Sequence, residues 1–224
     1  MKYPRTYHLP WSPGATKDDK KLQGEWFGYF KDKYVVFTEK LDGSNTCFTK
    51  ENVFARSHSA PCRNPWDRNL WDPQEGLYWK VKPYIGENEI LFGENLYGEH
   101  SIHYDKLPEY WHMFAVNDSE RWYSWDEVKE FANMIGVKYV PELLRTRITS
   151  PAHIKDIIDE LMLSPSTYNT TQKEGIVMRI NGEFPINEFP HYVCKWVRPN
   201  HVQTDEHWTK NWKKTKLINN EYEK

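Results

Sequence analysis

The stretch Tyr34-Val-Val-Phe-Thr-Glu39-Lys40-Leu-Asp-Gly-Ser-Asn45-Thr-Cys-Phe-Thr49 carries two short β-rich runs on either side of a Lys-Leu-Asp-Gly link. β-Branched and aromatic residues suit a pleated surface, and Gly after Asp marks a reversal, so the reading is strand, turn, strand. A third run, Val53-Phe-Ala-Arg56, extends it into a meander. Lys40 then stands where a strand ends and a tight turn begins, rigidly held yet exposed at a sheet rim. An amine in that position can attack phosphorus only after losing its proton. Burial or a neighbouring cation such as a metal ion must therefore lower its pKa from about 10.4. Taken alone, the same residues also fit a hairpin turn with a solvated lysine.

Working outward, residues 1–30 are rich in Pro, Gly and Lys and read as an irregular lead-in, and residues 61–84 fit either helix or loop. Glu89-Ile-Leu-Phe-Gly93 and Trp111-His-Met-Phe-Ala-Val116 read as buried strands. Ser124-Trp-Asp-Glu127 forms a capping box at the start of a helix whose apolar face is Val128, Phe131, Ala132 and Ile135, with Gly136 as its stop. Ser150-Pro151 opens a second helix with Ile154, Ile157, Ile158 and Leu161 inward. Gly175-Ile-Val-Met-Arg-Ile180 and Tyr192-Val-Cys-Lys-Trp-Val197 are the last strands. These elements predict an α+β chain of mostly antiparallel sheets flanked by helices, with no internal linker.

Composition narrows the function classes. The 224 residues hold 30 Lys and Arg against 32 Asp and Glu, a net charge of −2, so any nucleic-acid contact must come from a local patch. The three cysteines, Cys47, Cys62 and Cys194, form no close pair, which argues against a disulfide framework or zinc site and fits a reducing cytosol. No apolar run reaches about 18 residues and Met1 to Pro10 lacks a signal-peptide core, so the expectation is a soluble, cytoplasmic protein. Aromatic residues make up 16% of the chain, enough to fill a core and still offer stacking surfaces for bases.

The pieces that follow Lys40 sharpen the reading. Arg56 lies in Ala-Arg-Ser57, Glu94 ends Leu91-Phe-Gly-Glu, Phe114 sits in the next strand, Glu174 opens Glu-Gly-Ile-Val-Met178, and Lys195 lies in Val193-Cys-Lys-Trp196. In this order the set resembles motifs I, Ia, III, IIIa, IV and V of the covalent nucleotidyltransferase superfamily of DNA ligases, RNA ligases and mRNA capping enzymes. The likeness runs from about residue 35 to 200. Asn45, where DNA ligases and capping enzymes usually carry Arg, makes the closest likeness an RNA ligase of the RNA ligase 2 type.

The resemblance implies a nucleotidyltransferase (ATP-grasp-like ligase) fold over residues 1–224, and an ATP-dependent enzyme joining 5′-phosphate and 3′-hydroxyl RNA ends. Lys40 would form the lysyl-AMP intermediate. Glu39 would contact the adenine and Phe114 would stack on it. Glu94 would hold the ribose, Arg56 sugar or phosphate oxygens, and Lys195 the α-phosphate. Asn45 completes the nucleotide site. Glu174 would position Mg²⁺ or Mn²⁺ through water.

Two departures qualify the likeness. Motif V lacks one of its usual lysines, at Val193, for which Arg198 could substitute. About 25 residues follow it, too few for an appended OB or helical domain, which points to a minimal core and an end-healing partner protein. The basic, Trp-containing tail from His201 to Lys216 fits either an RNA contact or an amphipathic helix, and His58, His100, His103 and His207 show no metal spacing. A DNA ligase, a capping-type enzyme and a non-catalytic nucleotide- or RNA-binding relative remain alternatives.

Overall fold

The computed structural model describes residues 2–56, 60–200, 209 and 211–218. Two sheets organise them. The first has the order β1 (Tyr7–His8), β12 (Val193–Val197), β10 (Gly175–Ile180), β2 (Tyr34–Lys40), β9 (Glu142–Arg147). The second has the order β11 (Phe184–Pro185), β7 (Arg121–Trp122), β6 (Trp111–Asn117), β5 (Ile90–Asn95), β3 (Ser44–Phe48), β4 (Val53–Ala55), with β8 (Lys138–Tyr139) also paired to β6. Among these strands of the described residues, β1 with β12 and β6 with β8 pair in parallel and the other pairs are antiparallel. The fold is α+β, and one cluster of buried apolar side chains draws on both sheets.

The strand–turn–strand reading needs one correction. β2 and β3 form where expected, but they lie in different sheets and do not pair with each other. The Lys-Leu-Asp-Gly link is therefore a crossing between sheets, and the hairpin is β3 with β4. Tertiary contacts hold the crossing. The Asp42 carboxylate accepts the backbone N–H groups of Ser101 and Ile102 at 2.9 and 3.0 Å. The Asp42 N–H donates to the Tyr104 hydroxyl at 2.8 Å. At Gly43 a Cβ would lie 2.5 Å from the Asn95 carbonyl oxygen, so only glycine fits beneath β5.

Both main helices follow their caps. In α3 (Trp125–Ile135) the Ser124 side chain accepts from Glu127 N–H, the Glu127 carboxylate accepts from Ser124 N–H, and Gly136 ends the helix at φ +71°. In α4 (Pro151–Leu163) the Ser150 hydroxyl accepts from His153 N–H, and Ile154, Ile157 and Ile158 face inward. The buried Lys173 ammonium donates to the carbonyls of Leu161, Ser164 and Pro165, closing the C-terminal end of α4 and fixing the entry into β10. Residues 61–84 form short helical turns, among them α1 (Arg68–Trp71) and α2 (Leu77–Val81); α5 (Phe189–Tyr192) precedes β12.

The lead-in is less irregular than its composition suggests. β1 pairs with β12, and Tyr3, Leu9, Leu22 and Phe30 are core residues. The short strands β7, β8 and β11 and the longer β9 carry no clear period-2 signal. The described part of the tail, residues 211–218, forms no α-helix: Lys214 bridges to Gly98, and Thr215 N–H donates to the Tyr97 carbonyl. His58, His207 and the tail from 201 to 208 lie outside the described residues. Among the described residues no helix is long and apolar enough to cross a membrane, and the three cysteines are buried and form no disulfide.

Candidate functional site

A row of side chains crosses the first sheet in register: His8 on β1, Lys195 on β12, Val177 on β10 and Thr38 on β2. One step along, Lys40 pairs with Gly175. Side chains two apart share a face of a strand, so Thr38, Lys40, Val177, Arg179 and Lys195 look the same way. Gly175 permits the close packing, because a Cβ there would lie 2.1 Å from the Trp196 carbonyl oxygen.

The second sheet supplies the opposite wall. Asn45 on β3 pairs with Glu94 on β5, whose carboxylate accepts the Gly43 N–H at 3.0 Å. Between β5 and β6 the register slips by one residue: Phe92 faces Ala115 and Gly93 faces Met113, leaving Phe114 without a partner. A bulge of this kind re-aims a side chain, and here it sets the Phe114 ring against the space between the sheets. That space is a cleft of about 900 Å³ bordered by Glu39, Lys40, Asn45, Arg56, Glu94, Phe114 and Lys195. Glu174 joins them through Lys40, its carboxylate accepting from the ammonium at 2.7 Å.

Charge in this cleft is crowded. Burial pushes Glu94 up to about 7, with Lys40 opposing the rise and Glu174 adding to it. Burial also raises Glu174, against the pull of Lys40. Burial, followed by the like charge of Lys40, brings Lys195 down to about 8. Lys40 runs opposite to the sequence expectation: burial lowers its pKa, but Glu174, Glu94 and Asp42 outweigh burial and hold it above the ordinary lysine value. In the free protein Lys40 is a half-buried ammonium, and a ligand must change its surroundings before it can act as a nucleophile.

Glu39 is held from behind the sheet. Alternation along β2 turns its side chain away from that of Lys40. Its buried carboxylate accepts the Ser166 hydroxyl and, at 2.9 Å, the Thr167 N–H. It braces the loop between α4 and Glu174, and Glu39 also borders the cleft. Arg198, by contrast, does not border the cleft. It borders a separate pocket of about 420 Å³, and its N–H donates to the Glu174 carbonyl. The cation missing at Val193 is thus not replaced from that position.

The cleft also holds residues that sequence reading passed over. Thr38, Val177 and Arg179 follow from period-2 alternation once Lys40 and Glu174 are placed. His100 borders the cleft with its Nε2 3.3 Å from the Ser44 hydroxyl and its Nδ1 3.9 Å from Asp42. Asn64 and Trp66 reach it because the neighbouring Asp67 accepts from Asn95 at 3.0 Å, tying their loop to the strand of Glu94. No local pattern marks them. Among the described residues no three His, Cys, Asp or Glu side chains converge as a direct metal cage.

The family model described as RNA ligase matches residues 33–197. Solved structures with a similar fold include a Naegleria gruberi RNA ligase with PPi (TM-score 0.55, 17% identity, covering 87% of this chain and 60% of that one). An archaeal ATP-dependent RNA ligase gives 0.56 and 14%, covering 88% and 48%. A putative ATP-dependent DNA ligase from Aquifex aeolicus gives 0.54 and 17%, covering 88% and 50%. The chain thus spans about half to three fifths of these relatives. No curated protein matches it.

Proposed function

The chain belongs to the RNA ligase family, and from that premise we propose that it is an ATP-dependent ligase that joins 5′-phosphate and 3′-hydroxyl RNA ends through AMP carried on Lys40. The observation that carries this reading is the Lys40–Glu174 pair at 2.7 Å, with Lys40 lining a cleft whose opposite wall holds Glu94 and the bulged Phe114 ring. Within this reading, residues 1–224 act as one nucleotidyltransferase domain.

The base lies against Phe114, where stacking contributes about 1–3 kcal/mol. Glu94 receives the ribose hydroxyls. Lys195 and Arg56 hold phosphate oxygens, Lys195 as a compact charge beside the reacting phosphorus. Asn45, opposite Glu94, shapes the same wall. The Lys40 ammonium gives up a proton, for which the Glu174 carboxylate at 2.7 Å is the adjacent acceptor. Its Nζ then forms the N–P bond as the α–β P–O bond breaks and pyrophosphate leaves. AMP passes from Lys40 to the RNA 5′-phosphate, and the 3′-hydroxyl attacks that phosphorus, releasing AMP and leaving a phosphodiester.

A hydrated Mg²⁺ or Mn²⁺ held by Glu174 through water would add positive charge at the phosphates. One buried carboxylate beside the lysine, with no cage of three ligands among the described residues, fits such an outer-sphere ion. Relatives described as RNA ligases with ATP and Mn support this donor and metal class. RNA ends are the partners, alongside an end-healing protein, in the cytoplasm. The second reading is a nicked-DNA substrate, favoured by the fold's likeness to the DNA ligase.

The test is incubation with α-labelled ATP or GTP and Mg²⁺, followed by denaturing electrophoresis. Label from ATP alone, lost in Lys40→Ala, is expected; label kept in that variant removes the nucleophile. Sealing of nicked RNA is expected next, and sealing of DNA only overturns the RNA assignment.

A further inference from the structure

The five residues from Tyr3 to Tyr7 precede the family-matched region, which begins at residue 33, yet they form part of the cleft. At one end of this segment, β1 lies in register with Cys194 and Lys195. At the other end, Tyr3 is buried with its ring edge-on to Phe114, centroids 5.0 Å apart at 71°. Three further rings clamp it: Phe92 at 5.1 Å, Trp122 at 5.6 Å and Phe189 at 5.1 Å. Residues 3–6 all border the cleft. The segment therefore runs from the strand of the phosphate-side lysine to the ring assigned to the base.

Phe114 needs such a support. As the unpaired residue of a bulge, its direction is not fixed by the ladder alone. Its carbonyl accepts from the buried guanidinium of Arg179, which lies over the Trp125 ring at 4.9 Å. Tyr3 holds the ring and Arg179 holds the backbone, and the two side chains lie beside each other. Edge-to-face ring pairs add to burial because the positive edge of one ring meets the negative face of another.

We propose that Tyr3 is a positioning residue for the nucleotide site: its ring fixes the direction of Phe114, so that residues 3–6 form a wall of the pocket for the purine base. This rests on the assignment of the cleft to ATP. Tyr3 touches no reacting atom and acts through Phe114.

The test is a double-mutant cycle on single-turnover adenylylation of the full chain, with Tyr3→Ala, Phe114→Ala, the pair, and Tyr3→Phe. Tyr3→Ala should raise the half-saturating ATP concentration about tenfold while the rate at saturation stays within about threefold. Tyr3→Phe, which keeps the ring, should restore it to within about twofold of wild type. In the Phe114→Ala background, adding Tyr3→Ala should change it less than twofold. Equal effects of Tyr3→Ala in both backgrounds, or no effect in either, overturn the proposal. If Tyr3→Ala does not fold, failure of Tyr3→Phe to stay near wild type does the same. Wild-type protein that takes no label from ATP would instead overturn the reading of the cleft itself.

Discussion

Two clusters of charged side chains show how differently this fold treats charge. Between α3 and β9, Arg145 donates to both Asp126 oxygens at 2.8 and 2.9 Å and to Glu142 at 3.0 Å, while Lys129 donates to Glu142 at 2.8 Å. Arg145 holds Asp126 down at about 2. Glu142 also falls to about 2, because hydrogen bonds from Arg145, Lys129 and Trp125 outweigh the opposing effect of burial. In the cleft, by contrast, Glu94 and Glu174 are both raised, and the single short ion pair is Lys40–Glu174. The first cluster is complete in itself. The second keeps like charges close together in one cleft, an arrangement that favours a ligand able to redistribute them.

Breaking each cluster should therefore have opposite consequences. The largest effect is expected for Glu174→Gln, which should slow adenylylation about 100-fold or more with the fold retained by circular dichroism. An undiminished rate would mean that the Lys40–Glu174 pair is only structural. Next, Glu94→Gln should lower the adenylylation rate about tenfold yet stabilise the protein by about 1–3 kcal/mol at pH 8 in urea unfolding. The sign follows from the pKa. Glu94 rises from 4.5 to about 7 on folding, so its contribution is fully present below 4.5 and lost as pH rises through 7. Loss of stability in this variant at pH 8 would show that the cleft carboxylates are satisfied.

A third test separates the two lysines. Lys195 titrates near 8, so it loses its charge above that pH and the half-saturating ATP concentration should climb several-fold between pH 7 and 9. Lys195→Arg, which stays charged, should flatten the profile; a persistent climb would assign it to another group. The smallest effect is expected in the complete cluster. Arg145→Ala should cost about 1–2 kcal/mol, a figure kept low because the Asp126 side chain is 48% exposed, and leave adenylylation within twofold. In the wild type, Asp126 and Glu142 have depressed folded values, so their contribution is present above about 4.5 and lost as pH falls toward about 2. Arg145→Ala should remove most of that acid-limb slope.

Much of this chain could be read without its fold. The capping box at Ser124, the Ser150-Pro151 start, the long strands and the order Lys40, Arg56, Glu94, Phe114, Glu174, Lys195 are written in local pattern, because caps and alternation act over four or five residues. The sequence by itself thus determined the long elements and singled out side chains that border one cleft. Tertiary structure decided the rest. It made the link after Lys40 a crossing between sheets, turned Glu39 toward Ser166, and drew Tyr3 and His100 to the cleft. It also left Lys40 charged, since the proton balance of a half-buried amine depends chiefly on Glu174 and Glu94, carboxylates more than 50 residues away whose distances no local pattern encodes.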